Sequence, residues 1–415
     1  MAVTVVTTTM AGAINYTHVT DTSADWPSVP NSTYFYDKAD KLVHYKNSSG
    51  VVLEIFGISG LTYFTEAQST AAPNATVPVD SLTAVSAATN TDIAIRPKGT
   101  GALTLAIPDS TATGGDKRGA NAIDLQIART NTNQVASGAN SAILGSGNRA
   151  YGTNSIAVGI SSTAGGGNST ALGFGAGATG SNSLAMSQGS ATGTNSIAFG
   201  TRAKATNQDS LAMGGYTYVD TTASGQYSTA IGGGNTASGD FSMAFGGYGN
   251  SASGGFSYAL GRGAYTFNVL GRQSRGYYNT VGGDCQKSEF FFSKRTTDAI
   301  AAILTIDGGA ASTGNQVILS NNSAYRFKGT IIGKQSASTN ICAWDVDGLI
   351  VRGANAAATT LVIGNINLVS NAPAWGTPTL AADTTNGGLQ IQVTGAAATN
   401  IQWTAVIETT EVIYA

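Results

Sequence analysis

Charged residues are scarce in this sequence. Only 11% of its 415 residues are charged, and the formal net charge is −2. Nucleic-acid binding needs a clustered cationic face, so no nucleic-acid partner is expected. Two cysteines, Cys285 and Cys342, are too few for a disulfide framework, and their spacing resembles no metal site. We therefore expect no metal and no cofactor, while 42% hydrophobic residues predict a chain that folds.

Long apolar runs and basic residues near the N-terminus are also missing. No run approaches the roughly 20 residues that a membrane span needs, and the first lysine or arginine is Lys38, so no secretory signal is expected. These absences favour cytoplasmic synthesis without membrane insertion. No stretch has helical periodicity, whereas glycine (54 residues), Thr, Ser, Asn and Ala are abundant. The composition therefore predicts an all-β fold.

A five-residue motif repeats through residues 141–261. Its pattern is Ser-x-Ala-apolar-Gly, with start-to-start spacings of 14, 14, 14, 13, 14, 18, 14 and 15 residues. The nine copies start at Ser141, Ser155, Ser169, Ser183, Ser196, Ser210, Ser228, Ser242 and Ser257. The first copy has Ile143 in place of the alanine, and the fourth has Ser187 in place of the glycine. A fixed period of this length indicates stacked repeats rather than a closed globular domain. Residues 216–222, within the longest spacing, are predicted to bulge as a loop.

Each repeat is predicted to form one coil with two strands and two corners, and glycine at both corners is expected to supply the positive φ that a tight corner needs. Nine coils stacked at about 4.8 Å per rung would make a rod roughly 40 Å long. Because side chains alternate along a strand, the apolar second and fourth motif positions are expected to face a core, with alanine at the third position on the other side. Such small coils bury little surface alone. We therefore predict an oligomer in which Ile156, Leu184 and Leu211 are covered.

The repeats at 154–159, 182–186 and 195–200 resemble the left-handed parallel β-roll of trimeric autotransporter adhesin heads, and a similar roll is found in bacteriophage fibre proteins. This resemblance, rather than the spacing, implies a homotrimer. Residues 90–138 are similar to a linker of phage tail fibres, and parts of 296–415 look like the terminal domain of such fibres. Alternation at Ile93 and Ile95 predicts strand in this linker, which is expected to cap the first rung.

Together these features predict an elongated all-β homotrimer. Its parts are an N-terminal virion-attachment β meander (1–60), a collar or linker (61–135), a parallel β-roll (solenoid) shaft of about nine 14-residue coils (136–271), a solvated neck (272–295) and a C-terminal antiparallel, jelly-roll-like β-sandwich tip (296–415). The meander strands are expected at 33–36, 42–45 and 51–56. In the tip, Asp347-Gly348 is predicted to form a tight hairpin turn.

Glycoside hydrolysis is the first chemistry to consider, because it needs two carboxylates about 5–10 Å apart. Asp209, Asp220 and Asp240 lie in the roll but do not recur on one face of adjacent rungs, and a pair across a subunit boundary is left open. In the tip, Asp345 and Asp347 fall on one strand face and are expected to be turn-forming acids. We therefore predict no catalytic residues and expect that the chain is not an enzyme.

Other motifs are interpreted as structural. His18 and His44 have no nucleophile elbow beside them. Residues 175–180 match a dinucleotide-binding glycine pattern but lack a βαβ unit, and residues 329–336 depart from a P-loop. Asn, Ser and Thr at the corners of the coils are expected to cap turns or stack along the rod without calcium.

Aromatic residues are the remaining candidates for recognition. Trp344 and Trp403 are predicted to be core residues, whereas Trp375, between two prolines, could stack on a sugar. The roll adds Tyr216, Tyr218, Tyr248 and Tyr258. Receptor-binding residues are left unassigned.

The sequence favours a structural fibre protein of a bacteriophage virion, a tail fibre that mediates attachment to the host cell. The predicted partners are two further copies of the chain, tail or capsid proteins that bind the N-terminal module, and a host-surface glycan or protein receptor. Three alternatives stay open: a tailspike-type polysaccharide depolymerase, a capsid-attached fibre and a cell-surface adhesin. The lack of a signal and an anchor disfavours the adhesin.

Overall fold

The computed structural model describes residues 18–20, 26–27, 29–31, 33–37, 42–56, 64–70, 76–85, 88–215, 218–278, 280–371 and 375–414. The chain divides into two compact units, Met1–Arg96 and Pro97–Ala415. The regular structure of the described residues is β-strand apart from short 3-10 turns such as Ala356–Ala358. This confirms the all-β prediction. Within the same ranges, no helix has the length and apolar character needed to cross a membrane.

The first unit contains a small meander and a separate hairpin. Its described strands are β1 (His18–Thr20), β2 (Thr33–Asp37), β3 (Leu42–Lys46), β4 (Val52–Phe56), β5 (Phe64–Ser69) and β6 (Val79–Ala84). β2, β3 and β4 are antiparallel neighbours, β1 lies parallel to β2, and β5 pairs with β6. The three strands that the sequence predicts are therefore confirmed, and β1 is added to them.

The second unit begins with a shaft of short strands. In chain order they are β7 (Leu103–Thr104), β8 (Ile123–Leu125), β9 (Ala142–Ser146), β10 (Arg149–Ala150), β11 (Ile156–Ile160), β12 (Thr163–Ala164), β13 (Thr170–Phe174), β14 (Gly177–Ala178), β15 (Leu184–Met186), β16 (Ser190–Ala191), β17 (Ile197–Phe199), β18 (Ala203–Ala205), β19 (Leu211–Met213), β20 (Thr221–Ala223), β21 (Thr229–Gly233), β22 (Thr236–Ala237), β23 (Met243–Tyr248), β24 (Ser251–Ala252), β25 (Tyr258–Arg262) and β26 (Gln273–Tyr277). Of the predicted bulge, residues 216–217 lie outside the described residues, and Thr221 begins β20.

These strands form two parallel sheets that wind as a β-solenoid. β7, β8 and β9, the odd-numbered strands from β11 to β25, and then β26 make one sheet, in which each strand pairs with the next coil. The even-numbered strands from β10 to β24 make the other sheet. Each period is therefore one coil with two strands, as predicted. We call the sheet that begins at β7 the longer shaft sheet, because it has more strands than the sheet of β10 to β24.

Alanine fills the inside of the shaft. The third-position residues Ala157 and Ala198 are fully buried between the two sheets. The second and fourth positions point outward: Ile156 is 42% exposed, and Leu184 and Leu211 are half-buried. The prediction that these larger side chains face a core is therefore wrong within one chain. The coil is so narrow that methyl groups from the two sheets already fill it.

The two corners of each coil use glycine for different reasons. At one corner Gly173 and Gly175 have φ of +108° and +62°, a region that glycine enters without penalty. At the other corner Asn168 has φ of +57°, whereas Gly166 has no positive φ. A Cβ on Gly166 would lie 1.9 Å from the carbonyl oxygen of Gly180 in the next coil. The prediction of positive φ at both glycine corners is thus correct for one corner only.

Side chains at the second corner form a ladder along the rod. The amide of each asparagine donates to the side-chain oxygen of the next coil, over distances of 2.9–3.0 Å from Asn140 to Asp209. In later coils the position is aromatic: the Tyr227 and Phe241 rings stack at 4.8 Å, and Phe241 and Phe256 at 4.9 Å. The expectation that corner residues stack along the rod is confirmed.

The start of the shaft carries a buried ion cluster. The Asp124 carboxylate lies 2.7 Å from Arg118 Nε and 3.1 Å from Arg129 Nη2, and all three side chains are almost completely buried. β7 and β8 extend the longer sheet before the first motif copy, as expected of a collar. Strand at Ile93 and Ile95 is not observed: both side chains are exposed and pair with no neighbouring strand.

The shaft sheet continues without interruption into the C-terminal part of the unit. The strands there are β27 (Cys285–Thr296), β28 (Ala301–Ile303), β29 (Val317–Ile318), β30 (Ser323–Gln335), β31 (Ile341–Arg352), β32 (Thr359–Asn371), β33 (Gly376–Asp383), β34 (Gly388–Thr394) and β35 (Ile401–Ile413). β26 pairs with β27, and the order then runs β27, β35, β30, β31, β32, all antiparallel. A smaller sheet has β28 and β29 on one side of β34 and β33 on the other.

One hydrophobic cluster lies between the larger and the smaller sheet. Trp344, Trp403 and Trp375 are 1%, 0% and 6% exposed, and the Trp375 ring packs edge-on against Trp403 at 5.9 Å. Trp344 and Trp403 are core residues as predicted, but Trp375 is buried too and has no face free for a sugar. Arg272, expected in a solvated neck, is completely buried where the shaft meets this cluster.

Candidate functional site

The larger C-terminal sheet has an inner face on the hydrophobic cluster and an outer face, which carries the charge. Side chains alternate between the two faces, so β27 sends Phe290 and Phe292 inward and Glu289 outward. The register of the shaft extends across this sheet. The outer face of the larger sheet is therefore a direct continuation of the apolar second and fourth positions of the shaft.

One row of outward residues crosses five strands in register. Glu289 lies opposite Glu408, Glu408 opposite Lys328, Lys328 opposite Asp347, and Asp347 opposite Asn365. We call these five residues the central row. Residues directly opposite in an antiparallel pair have Cβ atoms about 4.5–5.5 Å apart. Glu289 and Glu408 are thus two like charges side by side, an arrangement that destabilises a sheet unless something compensates it.

Two lysines compensate the charge of Glu408. Lys287 Nζ lies 3.0 Å and Lys328 Nζ 3.4 Å from Glu408 Oε2. Hydrogen bonds from Lys287 and Lys328 hold the pKa of Glu408 below its usual value, although partial burial acts in the opposite direction. Glu408 is therefore ionised over the neutral pH range.

The aspartates predicted to share a strand face do so, but not in a hairpin. Asp347 accepts a hydrogen bond from Arg326 Nη2 at 2.7 Å, and Asp345 accepts one from Thr330 Oγ1 at 3.1 Å. Both lie within the unbroken strand β31, so the predicted Asp347-Gly348 turn is wrong. Glycine is needed at 348 for packing, because a Cβ there would lie 2.4 Å from the Phe327 ring.

A shallow cavity of about 440 Å³ lies over three residues of the central row, Glu408, Lys328 and Asp347. Its lining residues are Lys328, Gly329, Thr330, Asp345, Val346, Asp347, Val406 and Glu408. Glu289 does not line it, but lines a second cavity of about 220 Å³ together with Glu408. The larger cavity combines carboxylates, an ammonium group and a hydroxyl on a rigid strand surface. Such a surface can hydrogen-bond a hydroxyl-rich ligand and can supply both members of a general acid and base pair.

The carboxylates of the shaft are separated, as predicted. Asp209 ends the asparagine ladder, and Asp240 Oδ1 accepts from the backbone N–H of Gln226 at 2.9 Å. Asp220 lies 2.5 Å from Lys204 Nζ and 2.8 Å from Arg202 Nε. The hydrogen bond from Lys204 and the charges of both cations lower the pKa of Asp220. None of the three shares a site with another carboxylate in the described part of the shaft.

The remaining candidate motifs are structural. His44 is 4% exposed and packs against the Trp26 ring at 4.7 Å, and the described backbone of His18 belongs to β1. Residues 175–180 are solenoid corners, and residues 329–336 run along β30 and into the turn after it. Of the tyrosines, Tyr218 is 82% exposed and Tyr258 38%, while Tyr216 lies outside the described residues.

The possible metal ligands and the two thiols of the described ranges form no metal-binding cluster. No group of three or more His, Cys, Asp or Glu residues there could hold a metal ion. Cys285 is exposed and Cys342 is buried, and both are free thiols. Burial raises the pKa of Cys342 to about 12, so this thiol is not a reactive one.

The Glu289–Glu408 pair is the feature that sequence reasoning missed. The two residues are 119 positions apart, and only the register of β27 with β35 brings them together. The one available signal was the alternation of charged and uncharged residues along β27, in which Lys287 and Glu289 are separated by Ser288 and followed by Phe290. This alternation predicts an outward face but not the strand that lies beside it.

By its fold this second unit is a parallel β-solenoid joined to an antiparallel β unit. The family model of the YadA head domain repeat matches residues 150–176, 164–186, 191–217 and 223–248. These ranges lie entirely in the shaft and cover well under half of the chain. They agree with the adhesin-head resemblance of the repeats. No curated protein matches the chain.

Two solved structures of phage tailspikes are similar over part of their length. One is the tailspike protein gp49 of Acinetobacter baumannii bacteriophage Fri1, a capsular polysaccharide depolymerase, with 10% identity, a TM-score of 0.22, and coverage of 74% of this chain and 52% of that one. The other is the tailspike of Acinetobacter phage vB_ApiP_P1, with 11% identity, a TM-score of 0.20, and coverage of 66% and 51%. The chain thus spans about half the length of each.

This comparison corrects one expectation. The prediction that the chain is not an enzyme is contradicted, because a capsular polysaccharide depolymerase stands among the structures it resembles. At a TM-score of 0.22 the likeness assigns no role to any residue of this chain. Only the geometry of the central row bears on the roles of its residues.

Proposed function

We propose that this chain is a virion protein of the tailspike type, which attaches to a host-surface polysaccharide and cleaves it. The YadA-type repeats support a rigid shaft for attachment, and the depolymerase neighbour directs attention to glycoside hydrolysis. In this proposal the N-terminal module binds other virion proteins. The β-sandwich tip and the division of the chain into five parts remain predictions.

The observation that carries the proposed cleavage is the Glu289–Glu408 pair. Carboxyl groups about 5–5.5 Å apart are the spacing of retaining glycosidases. The Cβ atoms of directly opposed residues in an antiparallel pair lie about 4.5–5.5 Å apart, so the carboxyl groups of Glu289 and Glu408 can reach that spacing. Glu408, held ionised by Lys287 and Lys328, takes the role of nucleophile. Glu289 takes the role of the acid that protonates the leaving oxygen and then activates water.

Trimer formation is the second part of the proposal. Leu144 is 53%, Ile156 42% and Phe245 47% exposed, and all three lie on the outward side of the longer shaft sheet. A continuous apolar stripe of this kind is costly to expose to water. Two further copies that pack stripe to stripe would cover it, and the central row would then begin where the stripe ends.

The test of cleavage is release of reducing ends from purified host capsule by the full chain. Glu408→Gln and Glu289→Gln should each lower the rate at least a hundredfold, whereas Asp92→Asn, an exposed acid elsewhere, should not change it. Retained capsule binding by the Gln variants would separate attachment from chemistry. Wild-type protein that binds capsule but releases no reducing ends would overturn the cleavage part.

The test of assembly is the mass in solution. Sedimentation should give three times the 41.8 kDa of one chain. Leu144→Glu combined with Phe245→Glu places charge on the stripe and should shift the mass toward a monomer. Ile107→Glu is the control, because Ile107 is 85% exposed and lies outside the stripe. A monomeric wild type, or a double variant that keeps the wild-type mass, would contradict the trimer.

A further inference from the structure

The outer face continues along the strands beyond the central row. Two residues further along β27, β35 and β30, Phe291 lies opposite Val406 and Val406 opposite Thr330. The next row is Ser293, Thr404 and Ile332. Phe291 is 44% and Ile332 49% exposed, so this stretch offers apolar surface between polar side chains. Exposed aromatic and apolar groups of this kind can pack against the flat faces of sugar rings.

The same face then ends in a pair of cations. Arg295 lies opposite Gln402, and Gln402 lies opposite Lys334, again in register across β27, β35 and β30. We call these three residues the cation row. Arg295 lies six positions after Glu289 along β27, or about 20 Å of extended strand. The central row and the cation row are therefore two ends of one track that follows three neighbouring strands.

A cavity of about 450 Å³ is formed around the cation row. It is lined by Arg295, Thr296, Thr297, Lys334, Gln335, Ser336, Asn400, Ile401 and Gln402. The lining holds two positive charges, amides and hydroxyls, but no carboxylate. In a chain where only 11% of residues are charged, this separation of positive charge from its counter-charge is a marked local feature.

Neither cation is neutralised by a carboxylate in the described part of the chain. Arg295 Nε donates to Gln402 Oε1 at 3.0 Å, which fixes the guanidinium and leaves its two terminal nitrogens for another acceptor. Lys334 Nζ donates to the Ser338 carbonyl oxygen, a neutral group. Thr296 Oγ1 accepts from Trp403 Nε1 at 2.9 Å, so one wall of the cavity is held by the core.

From this geometry we infer that the cation row binds the carboxylate of an acidic sugar residue. A guanidinium with two free terminal nitrogens matches a carboxylate in a fork-like pair, and a nearby ammonium adds a third donor. The inference rests on the proposed function, since it makes the cation row an anchoring subsite for the polysaccharide that the central row cleaves. It narrows the substrate to an acidic polysaccharide, with one uronic-type residue held about 20 Å from the reacting bond.

The experiment titrates the full chain with sodium glucuronate, glucose and glucose 6-sulfate, followed by calorimetry or ligand-observed NMR. Glucuronate should bind, glucose should not, and raising the salt concentration should weaken glucuronate binding. Arg295→Gln combined with Lys334→Gln should lower the glucuronate affinity at least tenfold. Lys98→Gln, an exposed lysine outside the track, should leave it unchanged. Arg295→Lys should retain part of the affinity, since charge remains but the fork is lost.

The outcomes separate this inference from the proposed function. Equal binding of glucuronate and glucose, no binding by the wild-type chain, or unchanged affinity in a folded double variant would each overturn the subsite. Tighter binding of glucose 6-sulfate than of glucuronate would overturn the carboxylate assignment. Glucuronate binding that depends on Arg295 and Lys334 would uphold the subsite even in a protein that releases no reducing ends, because that result removes cleavage alone.

Discussion

Arg272 donates a hydrogen bond to Glu411 across 139 residues of sequence, and both side chains are completely buried. Arg272 directly precedes the last strand of the shaft, whereas Glu411 belongs to β35, the final strand of the chain. Gln286 Nε2 donates to the same Glu411 carboxylate at 2.7 Å, and Thr409 Oγ1 donates to it at 2.5 Å. This buried network ties the end of the solenoid to the C-terminal strand.

Removing one member of the Arg272–Glu411 pair should lower the free energy of unfolding far more than removing both members. Glu411→Gln leaves the Arg272 charge buried without a counter-charge, which typically lowers the free energy of unfolding by about 3–5 kcal/mol. Arg272→Met should leave the charge of Glu411 buried without a counter-charge, with a similar loss of stability. The double variant Arg272→Met with Glu411→Leu should lose less free energy of unfolding than either single variant. Chemical denaturation of the single and double variants measures this, and strictly additive losses would contradict the coupling.

Tyr325 beside this network makes stability depend on alkaline pH. Burial, and secondarily the charge of Glu411, raises the pKa of Tyr325 to about 12. Because folding raises the pKa of Tyr325, its contribution to the free energy of unfolding is complete at pH values below the unfolded-state pKa of about 10. That contribution is lost as the pH rises toward 12. Melting temperatures measured from pH 9 to 12 should therefore fall.

Tyr325→Phe should make the decrease in melting temperature between pH 9 and 12 less steep, because the titrating phenol is removed. The fall should not vanish, since the buried Cys342 thiol, with a pKa of about 12, also loses its contribution over this range. Tyr258→Phe is the control, because Tyr258 lies on the outer face of the shaft. An alkaline fall that is equally steep in Tyr325→Phe and wild type would rule Tyr325 out as its source.

Adjacent glycines in one corner of the shaft should respond oppositely to substitution. A Cβ on Gly166 would lie 1.9 Å from the carbonyl oxygen of Gly180, whereas a Cβ on Gly167 would meet nothing within 4 Å. Gly166→Ala forces neighbouring coils apart and should lower the free energy of unfolding by at least about 1–3 kcal/mol. Gly167→Ala should be neutral or slightly stabilising. Equal effects of the two changes in thermal melts would contradict this account.

The sequence predicted the solenoid because its signal is local and repeated. The serine, alanine and glycine of each motif recur at the period of one coil, and each has one structural role. Ser155 Oγ, for example, donates to the Gly152 carbonyl oxygen at 2.7 Å. The direction of the faces was misjudged because larger apolar residues usually point inward. Here Ala157 fills the coil and Ile156 points outward, a choice set by the width of the coil rather than by hydrophobicity.

The candidate site was beyond prediction because it depends on non-local register. Asp347-Gly348 carries the usual sequence of a tight turn, yet the glycine makes room for Phe327, which lies opposite it in β30. The continuous strand places Asp347 beside Lys328 and thereby beside Glu408, which lies in the last strand of the chain. No local pattern encodes that neighbourhood. The pairing of β30 with both β31 and β35 decides it.

The pH dependence of polysaccharide cleavage should report on Glu408. As nucleophile Glu408 must be ionised, so activity should fall on the acid side as pH drops through its pKa. Lys287 and Lys328 hold that pKa below the usual glutamate value. Lys328→Met removes one of the two cations, raises the pKa of Glu408 and should move the acid limb of kcat/KM to higher pH. Lys98→Met should leave the limb in place, and an unmoved limb in Lys328→Met would exclude Glu408 as the titrating group.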